Sequence, residues 1–488
     1  YLPALLEAKH SGISVIALTA DRPEELRGVG ANQTTNQSGL FGEAVQASLD
    51  VPAPRDTDSL SEDARAHARE AVLLAQVGGE RGRPGPIHVN IAFREPLSSP
   101  ITPEQWRAVG RTVESSSHGL TPADPPRVLT LDPEPGTAVI AGHLAGPDAE
   151  KLARDLGAVL FAEVHSGARF GKNLVVAYRE LLESPPRGEE IRRVVCVGRP
   201  TLARPMMRLL SQNDIEQVVW QRNEPEPSNL SGAAHIVDHV QVSRMATDAE
   251  ARVWVSPWVS ASKAILKSKT AVLEPPAPDV AALASESVSN RARFAQQEMS
   301  VVRRAISRAD IAREVWAHTW PSDQLILGSS RMIREFDELV PGKKIPVWSN
   351  RGLSGIDGTI ATARGFATGR SRAGLLGVTR VLLGDLALLH DAGSLLVQES
   401  ERNSSRLHVI VVTDGGGSLF DSLEVAQSAD PASYERVIFT PAEADYESLA
   451  KAYGWSYRRA DNLGSLIEAL ADTSPLLLVE CPMERGGT

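Results

Sequence analysis

The stretch VLLGDLALLHDAG, Val381–Gly393, opens with an apolar run fit for a buried strand and then sets an aspartate where a helix should begin. A second apolar run, in LHVIVVTDGGGSLF (Leu407–Phe420), also ends on an aspartate, Asp414. Runs of this kind recur along the chain: Ser14–Ala20, Gly85–Ile91, Thr137–His143, Val194–Gly198, Ile345–Asn350, Arg380–Asp385, His408–Asp414 and Pro475–Glu480. Longer helical patterns separate them, the sign of parallel βαβ units. Continuous apolar strands belong to sheets covered by helices on both faces. The fold class is therefore α/β, with three doubly wound parallel-sheet domains.

Length supports that number. At 488 residues, and about 150 residues per domain, the chain has room for roughly three cores. A Pro-, Ser- and Thr-rich stretch from Pro96 to about Pro135 reads as a linker. The segment EPPAP, Glu274–Pro278, precedes an Arg-rich helical pattern that begins near Val288. The domains are accordingly placed at 1–105, 128–275 and 288–488. The chain enters on YLPALLEAKHSG as on a helix already under way, so the first domain is expected to be incomplete.

Charge and cysteine content narrow the function. A formal net charge of −10 gives no support to binding nucleic acid or an anionic membrane surface. Any anionic substrate must be met by local arginines. Cys196 and Cys481 lie in apolar runs and are too few for a disulfide framework or a zinc site. They suit a reducing, cytoplasmic setting. No apolar run reaches the length of a membrane span.

In an open parallel sheet, ligands bind beyond the C-terminal strand ends. If the strands before Asp385 and Asp414 are neighbours, the two carboxylates can share one hard cation, completed by phosphate oxygens and water. Gly415, Gly416 and Gly417 let the backbone approach closely and lend a carbonyl. The helix starting near Leu386 turns its first N–H groups to the same place, which favours a phosphate. The plainer alternative is that each aspartate caps the next helix. Spacing alone leaves both open.

Gly384-Asp385, followed across a helix and a strand by a polar strand-end residue, resembles the diphosphate-binding signature of thiamine diphosphate enzymes. Four segments bring the chain closer to the 2-succinyl-5-enolpyruvyl-6-hydroxy-3-cyclohexene-1-carboxylate synthases of menaquinone biosynthesis. They are TADRPEELRGVGANQ (Thr19–Gln33), GPIHVNIAFREPL (Gly85–Leu97), SNRGLSGIDGTIATA (Ser349–Ala363), and GDLALLHD with DGGGSLF. The resemblance implies pyrimidine-binding, central and diphosphate-binding domains, in that order. It implies a transferase using thiamine diphosphate (thiamine pyrophosphate) with magnesium or manganese. Such a carboligase decarboxylates 2-oxoglutarate, the cofactor acting as electron sink, and adds the resulting succinyl carbanion to isochorismate. Active sites shared between subunits imply a homodimer or tetramer.

Residue by residue, the resemblance assigns Asp385, Asp414 and the Gly416 carbonyl to the metal. Gly384, Leu386, Leu419 and Phe420 would line the cofactor, and Ile356 would prop it in its bent form. Arg351, Ser330 and Arg334 match substrate-binding positions, as do Arg22, Asn32 and Gln33 in the first domain. Arginine's planar fork suits the substrates' carboxylates. Ser330 and Arg334 stand four apart, so on a helix they share a face. Arg204 is a weaker match for another anion contact. Without the resemblance, Ile356, Leu419 and Phe420 read as core, Arg22 as a turn brace, and His390 and Asp391 as local hydrogen-bonding groups.

The chain departs from the family pattern in three places. The family carries further residues ahead of Tyr1, among them the glutamate that activates the cofactor, so a chain starting there is expected to lack normal activity. An asparagine-rich turn is replaced by Thr413-Asp414-Gly415, which adds negative charge beside the diphosphate. QESERNSSR, Gln398–Arg406, lengthens the loop between the two strands and reads as polar and solvated. Two other readings stand beside the leading one. One is an acetolactate synthase-like carboligase; the other is a catalytically silent diphosphate- or nucleotide-binding protein.

Overall fold

The structure is a computed structural model that describes residues 1–488 apart from 55–59, 80–81, 96, 98–99, 101, 105–124, 187, 189, 272, 274–278, 403–405 and 487–488. Much of the expected linker, and all of EPPAP, thus lie outside the described residues. The chain divides into two compact units, Tyr1–Val128 with Asn223–Pro227, and Leu129–Arg222 with Ser228–Thr488.

The first unit holds a three-stranded parallel sheet of β1 (Val15–Asp21), β2 (Ala47–Val51) and β3 (Pro86–Ala92), ordered β1-β3-β2. Asn90, buried on β3, ties its neighbours together by donating to Asp21 at 2.8 Å and Asp50 at 2.7 Å. Arg27 neutralises the same two carboxylates, at 2.9 and 2.8 Å.

At the division between the units lies β4 (Val128–Leu131), a strand inside the stretch expected to be linker. Next comes a five-stranded parallel sheet: β5 (Thr137–Ala141), β6 (Val159–Ala162), β7 (Arg193–Val197), β8 (Glu216–Trp220) and β9 (His235–Val237). Its order is β6-β5-β7-β8-β9. β10 (His239–Val242) then pairs with β4. Side chains alternate across β5: Ala138 and Ile140 enter one apolar cluster, Val139 and Ala141 the other. Both faces are covered, which is why the strand reads as a continuous apolar run.

A six-stranded parallel sheet follows, from β11 (Gln324–Leu327), β12 (Val347–Trp348), β13 (Val378–Gly384), β14 (Arg406–Thr413), β15 (Ser456–Arg459) and β16 (Leu476–Pro482). Its order is β12-β11-β13-β14-β16-β15. The strand expected over Ile345–Asn350 shrinks to the two residues of β12, at the sheet edge, because Pro346 has no N–H to offer a ladder. The polar segment Gln398–Arg406 is less free than expected. Glu399–Arg402 forms a short helix, Glu401 pairs with Arg364 at 2.8 Å, and Arg402 donates to the carbonyls of Tyr453 and Gly454. Among the described residues no helix is long and apolar enough to cross a membrane.

One buried carboxylate locks these two sheets together. Asp337 lies on the helix Arg331–Leu339 of the six-stranded part and is fully buried. It accepts from Val164 N at 2.8 Å, pairs with Arg179 at 2.9 Å, and takes the hydroxyl of Tyr178. Arg169, also buried, donates to the Asp337 and Val340 carbonyls at 2.8 and 2.9 Å. Removing one partner of a buried charge pair strands the other. Asp337→Ala should therefore cost about 3–5 kcal/mol, read as a lowered urea midpoint with an unchanged slope.

Candidate functional site

β13 and β14 are adjacent and parallel, paired from Val378↔Arg406 to Gly384↔Val412. That register carries Asp385 level with Thr413, with Asp414 one residue further on. The two aspartates therefore do not stand side by side. Asp385 turns its Oδ2 to the backbone of the glycine loop, accepting from Asp414, Gly415 and Gly416 at 3.2, 2.8 and 3.1 Å. Its Oδ1 accepts from Leu386 N at 2.7 Å. Gly384 holds the N-cap position without a side-chain cap, while Asp385 binds the N–H of its own neighbour and fastens the adjacent loop. Burial raises its carboxyl above the usual range and the nearby Asp414 adds to the rise, against the pull of the N–H groups.

Asp414 does not cap a helix. Its Oδ2 is held by Arg308 at 2.6 Å and by the Ser418 hydroxyl. Arg308 is almost fully buried, at the first turn of the helix Arg308–Ala317. Gly416 offers its N–H to Asp385, and its carbonyl accepts from Ser418 N at 3.0 Å. At φ 153° it has no space for a side chain: a Cβ would stand 2.6 Å from the Phe439 carbonyl. The helix Asp385–His390 is only six residues long. The Leu386 N–H of its first turn is already engaged by Asp385, so the expected phosphate-facing terminus is a weak one. Asp391 leaves that helix to cap another, accepting from Ile360 N at 2.7 Å and Ala361 N at 3.1 Å. His390 binds Asp357 at 2.8 Å.

Around these groups lies a cavity of ≈ 360 Å³ at the C-terminal ends of β11, β13 and β14. Nine of the expected site residues line it: Ser330, Ile356, Gly384, Asp385, Leu386, Asp414, Gly416, Leu419 and Phe420. Ile356 and Leu419 are only half-buried and Phe420 is 38% exposed, so these apolar side chains form a wall and not a core. The donor set of carboxylates and loop backbone fits a hard divalent cation with a diphosphate, with Arg308 on its anionic side. Arg308, Ser329, Ser354 and Ser418 also line the cavity and were not singled out from the sequence. Only Ser354 carries a local peculiarity, a φ of 61°, and no sequence signal reports it.

Of the residues expected to contact substrate, Ser330 alone belongs to that lining. Ser330 is the N-cap of the helix Arg331–Leu339, its Oγ accepting from Met332 N at 3.3 Å. The helical count therefore starts one residue later, and Arg334 falls on an exposed position. Arg204 pairs with Glu424 at 3.1 Å where both are exposed, a surface contact of little weight. Arg351 is buried and donates to Thr201 Oγ1 at 3.0 Å and Thr201 O at 3.1 Å, with Ser329 at 3.5 Å. Arg22 and Gln33 line a cavity of ≈ 410 Å³ in the first unit. There Arg22 braces the turn, its N–H bonded to Asp21 at 2.7 Å, and Asn32 is exposed.

Near Arg351 lies a group the sequence did not mark. Glu163, fully buried after β6, accepts from Thr201 N at 2.8 and 3.0 Å and from Leu202 N at 2.6 Å. Burial still pushes its carboxyl up to about 8, with Asp337 adding to the rise.

No protein-family model matches the chain. It is 46% identical over 497 aligned positions to a 2-succinyl-5-enolpyruvyl-6-hydroxy-3-cyclohexene-1-carboxylate synthase of Leifsonia xyli subsp. xyli, covering 99% of this chain and 82% of that protein. Proteins of the same name from Clavibacter michiganensis subsp. michiganensis and Arthrobacter sp. are 45% and 36% identical. Those alignments cover 99% and 100% of this chain, and 82% and 76% of the relatives. Among solved structures, benzoylformate decarboxylase from Polynucleobacter necessarius matches with a TM-score of 0.60 at 11% identity. The match covers 100% of this chain and 85% of that one, and bears out the expected α/β fold.

Two measurements probe this geometry. Arg308→Met strips the guanidinium from Asp414 and should lower stability by about 3–5 kcal/mol, with partial recovery in Arg308→Met/Asp414→Leu on chemical denaturation. Glu163 binds its proton more tightly folded than unfolded. Its stabilising contribution is full below about pH 4.5 and is lost as pH rises through about 8. Glu163→Gln should flatten the stability–pH curve across that window, read from urea midpoints.

Proposed function

The chain belongs to the 2-succinyl-5-enolpyruvyl-6-hydroxy-3-cyclohexene-1-carboxylate synthase family, and on that premise we propose that it joins a succinyl unit from 2-oxoglutarate to isochorismate. CO₂ is released, and the product is the compound named in the family title. Thiamine diphosphate, when bound with magnesium or manganese, supplies the electron sink for decarboxylation and carbon–carbon bond formation. The supporting observation is the convergence of Asp385, Asp414, the glycine loop and the Ile356–Leu419–Phe420 wall on one cavity.

In this reading Asp385, Asp414 and Gly416 hold the cation and, through it, the diphosphate. Gly384 and Leu386 border the diphosphate, while Ile356, Leu419 and Phe420 exclude water from the ring system. Arg351, buried and oriented by Thr201 and Ser329, takes a substrate carboxylate. Ser330 and Arg334, and Arg22, Asn32 and Gln33 from the first unit, are proposed as further substrate contacts. The stretches 1–105, 128–275 and 288–488 are proposed as pyrimidine, central and diphosphate domains, in a homo-oligomer.

A second reading, diphosphate binding without turnover, is favoured by one observation: Asp414 already has a counter-ion in Arg308. Product formation from isochorismate and 2-oxoglutarate, with both cofactors present, separates the two. Tryptophan fluorescence titration with thiamine diphosphate, with and without Mg²⁺, tests the site itself. Asp385→Ala should weaken metal-dependent binding by at least about tenfold, or ~1.4 kcal/mol. Binding retained at wild-type strength would return the strand-end aspartates to a purely structural role.

A further inference from the structure

Glu163 stands at the C-terminal end of β6, the end at which open parallel sheets receive ligands, and is fully buried. Its own N–H donates to Ala141 O, the last residue of β5, at 3.0 Å. Its carboxylate reaches past β5 to the loop 198–202 that follows β7. There Oε1 accepts from Thr201 N at 2.8 Å and Leu202 N at 2.6 Å, and Oε2 from Thr201 N at 3.0 Å. The same loop is gripped from the end of β5. His143 N donates to Arg199 O at 2.7 Å, and Arg199 N to His143 O at 3.1 Å. Gly142 permits this approach, since a Cβ there would stand 2.2 Å from the Arg199 carbonyl carbon.

The loop held in this way carries partners of Arg351. Thr201 offers it two acceptors, Oγ1 to Nε at 3.0 Å and the carbonyl to Nη2 at 3.1 Å. Arg199 holds the backbone, its Nη2 donating to the Arg351 carbonyl at 2.9 Å and to the Gly352 carbonyl. Side chain and main chain of Arg351 are thus both fixed from the five-stranded part. Its Nη1 is turned to Ser329 at 3.5 Å, and Ser329 lines the first cavity. A continuous chain of bonds therefore runs from Glu163 through Thr201 and Arg351 to the edge of that cavity.

A carboxyl is a poor choice for packing alone at such a place, because burying it costs free energy. Desolvation lifts it to about 8 even though Arg351 draws it down. An apolar side chain would fill the space but leave Thr201 N and Leu202 N without acceptors. The loop would then lose its anchor, and Arg351 its fixed tilt. A guanidinium meets a carboxylate through a planar fork, so that tilt decides how many bonds it can form. We propose that Glu163 is a positioning residue for Arg351, acting through Thr201, and that the five-stranded part thereby sets the affinity for a dicarboxylate substrate. This rests on Arg351 taking a substrate carboxylate, the role given to it above.

The probe is glutarate, which has both carboxylates of 2-oxoglutarate but no keto group, titrated calorimetrically into the full chain with thiamine diphosphate and Mg²⁺. Affinity should fall at least about tenfold in Arg351→Met, Glu163→Leu and Thr201→Val. It should stay within about threefold of wild type in Glu163→Gln and Thr201→Ser, which keep an acceptor oxygen. Thiamine diphosphate affinity, read by tryptophan fluorescence, should not change in Glu163→Leu or Thr201→Val, because neither residue lines the first cavity. Thr201→Val, at a half-buried position, carries the test if Glu163→Leu fails to fold. Unchanged glutarate affinity in folded Glu163→Leu or Thr201→Val, beside a loss in Arg351→Met, overturns the proposal and leaves the role of Arg351 standing. Equal loss of cofactor and glutarate affinity overturns it as well, since that marks a general disturbance of the fold. No glutarate binding by wild type at millimolar probe, or no loss in Arg351→Met, removes the role of Arg351 and the proposal with it.

Discussion

The placement of Asp337 in the interior is the constraint on which the second unit depends. Its carboxylate belongs to the helix after β11, yet its partners Val164, Tyr178 and Arg179 belong to the five-stranded part. A charge so deep is tolerated only where every oxygen is engaged. The two sheets can therefore pack in one arrangement. Loops from both then meet predictably: Arg351, after β12, finds Thr201, after β7.

At the first cavity, one acidic residue organises the loop around it. Asp385 gathers the loop Asp414–Gly416 by its backbone and so creates the concave floor on which a diphosphate would lie. Gly384, and not Asp385, holds the N-cap position of the helix that follows, so the aspartate's bonds serve chiefly to gather that loop. A carboxylate has about four acceptor positions, and the N–H groups of Leu386, Asp414, Gly415 and Gly416 take as many. Asp414 is arranged differently, because Arg308 balances its charge before any cation arrives.

How much of this was legible in the sequence depended on the range of the interaction. Apolar runs ending at Asp385 and Asp414 announced buried parallel strands, since two-sided burial removes the polar alternation of a half-exposed strand. Four-residue strands such as VLFA (β6) and QLIL (β11) escaped notice, being too short for period to distinguish strand from helix. The register of β13 on β14 is written in hydrogen bonds between residues far apart in the chain, so the offset of Asp414 from Asp385 had no local signature. Arg308 meets Asp414 across 106 positions. Its own surroundings advertise only a capping box, Ser307 with Asp310. Apolar site residues were the hardest of all: Ile356, Leu419 and Phe420 stand out only through partial exposure at a concave surface, a property of the folded chain.

Glu163 carries one more implication. An acid whose proton leaves only near pH 8 is mostly uncharged at neutrality, even with Arg351 close by. The guanidinium is held in place by the oxygens of Thr201 and Ser329. Raising the pH through about 8 would add a negative charge beside that guanidinium, and so change the field felt by any anion near it.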